Sequence, residues 1–204
     1  MGLKSKITMV DNSEQIRKML TFNPNDFYFV EVVKRRKDNP NLSRSEKVIR
    51  NFYIDSFENY DNLLPIIIKL CDFENARAYL RINKRNYQKL ALPITKRIVE
   101  YMICSSEKSI RTVFDSVAGE IHSDSDPKWI VDFDNESVAN IEMVKVLTEL
   151  QIEADREPMN EIIPTKSGLH IITRPLNLSK FRELYPAVDV HKDNMVILYC
   201  PMHN

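Results

Sequence analysis

The segment KWIVDFDNES sets two carboxylates, Asp132 and Asp134, two positions apart in an apolar run of strand-forming residues. Successive side chains of a strand point to opposite faces, so both acids project from one face with their Cα atoms roughly 7 Å apart. Like charges held that close repel and raise one another's pKa unless a cation neutralises them. Mg²⁺ or Mn²⁺ suits such hard oxygen ligands, and phosphoryl transfer uses these ions to stabilise the attacking and leaving oxygens. The competing reading is that Asp134 ends the strand and, with Asn135, caps the next helix. Asp189, in PAVDVHKDN, precedes the last strand and could complete a three-carboxylate metal site. Asp193 could serve equally, and a plain polar turn competes with both.

A second constellation lies in IIPTKSGLHIITRP. A turn-like PTKSG leads into an apolar strand, and Gly168, between Ser167 and Leu169, lets the backbone approach a ligand closely. On that strand His170 and Arg174 share a face, so an imidazole and a guanidinium could address one anion, with Lys166 as a further donor from the turn. Against this stands a hairpin turn in which Gly168 only supplies a positive φ and the histidine is half-buried.

Basic residues form two further groups. In RAYLRINKR, strict alternation puts Arg77, Tyr79, Arg81 and Arg85 on one face and Ala78, Leu80 and Ile82 on the core face. Guanidiniums with a stacking ring fit a nucleic-acid surface; a charged sheet edge that resists aggregation is the alternative. The run Lys34, Arg35, Arg36 and Lys37 reads as a solvated loop. Cys200 and His203, spaced CPMH, fall short of the four ligands of a structural zinc site.

The elements that must carry these residues follow from patterning. Aromatic and β-branched enrichment marks strands at residues 26–34, 48–57, 77–83, 128–134, 161–165, 169–174 and 195–199. Helices are expected at 62–70, 107–118, 136–154 and 179–185, and at 87–104, where Pro93 should delay or kink the helix. This alternation predicts an α/β (α+β) fold, a mixed sheet with packed helices. Residues 1–204 would form a single compact unit, with an α/β module over 1–120 and the metal and nucleotide site over 121–204.

Composition excludes several classes. A chain of 204 residues, 43% hydrophobic, can bury a core without disulfides. Three scattered cysteines, with Cys71 and Cys104 in apolar helical surroundings, point to a reducing cytosol. Residues 1–11 hold no apolar signal core, and no stretch approaches a membrane span, so neither export nor a membrane partner is expected. Net charge is zero, so any nucleic-acid binding must come from local patches, and with three glycines a Gly-rich phosphate cradle is excluded.

In order along the chain, the hydrophobic-DFD strand (Ile130 to Asp134), Ser167-Gly168-Leu169-His170 and Val188-Asp189 resemble the archaeo-eukaryotic primase (primase-polymerase) superfamily. The resemblance covers roughly residues 128–199. It implies an RRM-like core with Asp132, Asp134 and Asp189 as catalytic metal ligands. His170, with Ser167, Lys166 and Arg174, would contact nucleotide phosphates. The implied activity is template-directed nucleotidyl transfer, with nucleoside triphosphates and a DNA or RNA template as partners. No helicase module accompanies the core, so a helicase would be a separate partner, and the stand-alone form resembles phage and mobile-element proteins acting in a host cytoplasm. A non-catalytic nucleic-acid- or partner-binding protein and a metal-dependent nuclease are the alternatives.

Overall fold

The computed structural model describes residues 9–104, 112–122, 124–133, 141–152 and 157–202. The first part of the chain runs β1 (Val10–Asp11), α1 (Ser13–Met19), β2 (Asp26–Arg35), β3 (Glu46–Ile54), α2 (Phe57–Glu74), β4 (Arg77–Arg81), β5 (Arg85–Asn86), α3 (Tyr87–Ile103) and α4 (Val113–Glu120). The second part is β6 (Trp129–Phe133), α5 (Ile141–Leu150), β7 (Asn160–Pro164), β8 (Leu169–Thr173), α6 (Leu178–Leu184), β9 (Asp189–His191) and β10 (Met195–Cys200).

Two antiparallel sheets replace the expected mixed one. The first has the order β1-β10-β4-β2-β3, with β5 also paired to β2; the second has the order β7-β8-β6-β9. The second follows the succession β-α-β-β-α-β, in which each helical crossover joins parallel strands that a third strand separates. Strand–helix alternation therefore produces no parallel neighbours here. The last strand also departs from expectation: β10 pairs with β4 and β1 in the first sheet, so the second unit ends with β9 and not at residue 204.

Burial explains the layers. In β6, Val131 and Phe133 pack with Met143, Leu147, Leu176 and Phe181 on the helix-covered face. On the other face Ile130, with Ile172 of β8 and Ile163 of β7, joins a cluster containing Val30, Leu80 and Val196 of the first sheet. One apolar core thus runs through both sheets. Asn12 fastens them, its buried Nδ2 donating to Ile197 O at 2.8 Å and to Pro164 O at 2.9 Å. Asn12→Ala orphans both carbonyls and is expected to cost about 1–3 kcal/mol, measured as a lowered urea midpoint with unchanged m.

Local chemistry sets the helix ends. Ser56 Oγ accepts from Asn59 N at 3.1 Å to open α2, earlier than expected, and Asn75 at φ 49° closes it. Asn86 caps α3 through the Gln88 and Lys89 amides, so this helix starts at Tyr87 and carries Pro93 inside it. Of the helix expected at 107–118, residues 107–111 lie outside the described residues, as do 136–140 and 153–154 of the one expected at 136–154; that one ends at Leu150, where Gln151 bridges to Leu176. Cys71 is buried, its thiol pushed up to about 12 by burial, but Cys104 is exposed at the end of α3 and is no core residue. Among the described residues, no helix is long and apolar enough to cross a membrane.

Candidate active-site cleft

Strand β6 delivers Asp132 because its neighbours Val131 and Phe133 are held against the helices, which turns Asp132 to the opposite face. Register then places two more polar residues beside it. Asp132 is directly opposite His170 on β8 and opposite Asp189 on β9, so Asp189, Asp132 and His170 form one row across three strands. Directly opposed residues of antiparallel strands share a face with Cα atoms about 4.5–5.5 Å apart. Asp134 and His203 lie outside the described residues.

His170 Nε2 is 3.3 Å from Asp132 Oδ1, and the His170 side chain is only 14% exposed. Its Nδ1 is buried and, among the described residues, has no hydrogen-bond partner. Burial pushes the His170 pKa below the ordinary imidazole value; the Asp132 carboxylate pushes back upward, and His191 adds to the downward shift. Burial thus disfavours the charged ring, and one nitrogen faces an acid while the other, among the described residues, is an unmet polar group.

Asp132 and His170 of this row open on a cleft of about 330 Å³ bounded by both sheets. Asp132, His170, Lys166 and Ser167 come from the second sheet, and Arg35, Lys37, Arg77 and Tyr79 from the first. The turn bearing Lys166 and Ser167 is pinned by Thr165, whose amide donates to Gly168 O at 2.9 Å and whose hydroxyl accepts from Gly168 N at 3.0 Å. Neither described glycine takes a positive φ, so side-chain bracing and not a left-handed glycine shapes this turn.

Across the cleft, Asp38 is almost fully buried and organises the cations. Arg77 donates to it from Nε at 2.6 Å and Nη2 at 2.8 Å, and Lys166 Nζ lies 2.7 Å away. Burial opposes the Arg77 charge, but these bonds to Asp38 keep its pKa above the ordinary guanidinium value. Arg35 donates to Tyr79 Oη at 3.3 Å and pairs with Glu46 at 3.0 Å.

Several expected site residues sit elsewhere. Arg85 is fully buried, bonded to Ala118 O and paired with Asp193 at 2.8 Å, so it is no nucleic-acid contact. Asp193 also accepts from Asn83 Nδ2 at 3.2 Å, which commits it to this buried network and leaves Asp189 as the acid beside Asp132. Arg81 faces Glu31 at 3.6 Å and lies under Gly119 of α4, outside the cleft. Arg174 pairs with Asp126 and donates to Glu157 O at 3.0 Å, so it does not join His170. Conversely, Arg35 and Lys37, read as a solvated run, line the cleft. Asp38 carries a single signal in the sequence, that it is the lone acid in RRKDN, and alternation alone does not point to it.

The chain matches no family model, no curated protein and no solved structure. Among the described residues, no three His, Cys, Asp or Glu side chains gather closely enough to hold an ion. The donors present are still of the hard type: Asp132 and Asp189 are cross-strand neighbours that present carboxylates from one face.

Proposed function

We propose that this protein is a divalent-metal-dependent nucleotidyltransferase of the primase-polymerase kind, joining nucleotides on a nucleic-acid template. The observation that carries the reading is the row Asp189, Asp132, His170, of which Asp132 and His170 line a cleft that also holds cations. The β-α-β-β-α-β succession beneath that row agrees with an RRM-like core.

In this reading Asp132 and Asp189, with Asp134 by its sequence position, hold Mg²⁺ or Mn²⁺. A bound divalent ion supplies charge neutralisation and alignment of phosphate oxygens. The chain's own groups do the rest. His170, beside Asp132 in the cleft wall, faces the bound nucleotide, and Lys166 and Ser167 address its phosphates from the braced turn. Arg77, held by Asp38, adds fixed positive charge, which acts strongly in a partly enclosed site. A second reading, a non-catalytic nucleic-acid binder that retains the fold, is favoured by the same cations, which attract a polyanion without any metal.

Incubation of a labelled template strand with nucleoside triphosphates and Mn²⁺ separates the readings. Extension supports the polymerase, shortening of the strand assigns the acids to a nuclease, and binding without change supports the non-catalytic protein. His170→Ala is expected to weaken nucleotide binding about tenfold, from the loss of one polar contact beside the bound nucleotide, with little effect on strand binding. Equal loss of both would move His170 out of the nucleotide site.

A further inference from the structure

Residues 34–50, the end of β2, the connecting loop and the start of β3, hold seven lysines and arginines against only Asp38 and Glu46. This is a local excess of positive charge in a chain whose net charge is zero. Both acids are already engaged, Asp38 by Arg77 and Lys166 and Glu46 by Arg35. Arg36, Arg44 and Lys47 are exposed, and among the described residues none of them pairs with an acid. Lys47 is directly opposite Lys34 in the strand register, and Glu74 pairs with Lys34 at 2.6 Å, so among the described residues Lys47 is the member of that pair without an acid. The hairpin adjoins the cleft, where its Arg35 and Lys37 form part of the wall.

We infer that the β2–β3 hairpin is the track of a single-stranded nucleic acid, leading the strand into the cleft that holds Asp132 and His170. This deepens the nucleotidyltransferase reading by placing its template and rests on that reading for the strand's purpose, though not for its binding. Edge protection accounts for charges on β3, the outer strand of its sheet, but needs neither one sign nor clustering. A bilayer surface would also attract the cations, yet it cannot follow them into a cleft, whereas a flexible strand can. Each phosphate neutralised on a single strand contributes about −0.7 to the slope of log affinity against log salt.

The test is fluorescence anisotropy of a labelled single-stranded oligonucleotide with chelator present, across a salt series. Combined replacement of Arg36, Arg44 and Lys47 by Gln is expected to weaken binding at least about tenfold and to make the salt slope shallower by about 2. Mn²⁺-dependent nucleotide binding by the same variant should be unchanged, since none of the three lines the cleft. Replacement of the exposed Lys69, Lys96 and Lys180 by Gln is the control. Equal weakening in the control, no strand binding by the wild type, or tight binding to phosphatidylserine vesicles in place of the strand would each overturn the track. Strand binding lost in the hairpin variant but kept in Asp132→Asn would uphold the track even if no nucleotide is ever joined.

Discussion

Asp132→Asn is expected to lower Mn²⁺-dependent binding of a nucleoside triphosphate by more than about 100-fold, because direct ligands matter more than the supporting residues whose loss costs 10- to 100-fold. The fold should not notice. Asp132 is 37% exposed, its carboxylate meets His170 at 3.3 Å, and the amide keeps the size and one acceptor oxygen of the acid. Stability should stay within about 0.5 kcal/mol of wild type, as for other substitutions away from buried networks. Calorimetric titration of nucleotide with Mn²⁺, paired with thermal melts, measures both quantities. Undiminished binding in the variant would remove Asp132 from the site and with it the catalytic reading. Absence of binding in wild type and variant alike would leave the non-catalytic binding protein.

The opposite pattern is expected at Arg85. Its guanidinium is fully buried among Ala118 O, Asn83 O and Asp193, and its pKa is pulled down by burial against the support of Asp193. Removing one partner of such a pair leaves a buried charge uncompensated and costs about 3–5 kcal/mol. Arg85→Met should therefore lower the melting temperature by about 10 °C in a chain of this size, and Asp193→Asn should destabilise in the same direction. Both variants should bind metal and nucleotide normally at temperatures where they remain folded. Asp189→Asn should do the reverse, keeping stability and losing metal-dependent binding. A stable Asp193→Asn variant that no longer binds nucleotide with Mn²⁺ would transfer the third acid from Asp189 to Asp193.

These two pairs show where sequence reasoning was strong and where it stopped. Period-two patterning around Ile130, Val131 and Asp132 was enough to put Asp132 on a defined strand face, because alternation is a local property of extended backbone. The same logic correctly kept Ala78 and Leu80 in the core. It failed for Arg85 because β4 ends at Arg81 and alternation does not survive the intervening turn. A buried arginine is also rare enough to be misread as solvent-facing unless its acid is known, and Asp193 lies 108 residues away.

The sequence alone determined the short-range facts: an α+β class, the strands that carry Asp132 and His170, and the turn that carries Lys166 and Ser167. Only the tertiary structure decided which distant residues meet. Cross-strand register made a row of Asp189, Asp132 and His170, and the β10 strand returned to the first sheet. Asp38 reached across to both Arg77 and Lys166. The physical reason is that backbone periodicity and capping act over a few residues, whereas register and ion pairing depend on which apolar surfaces bury one another, and that choice is made by the whole core at once.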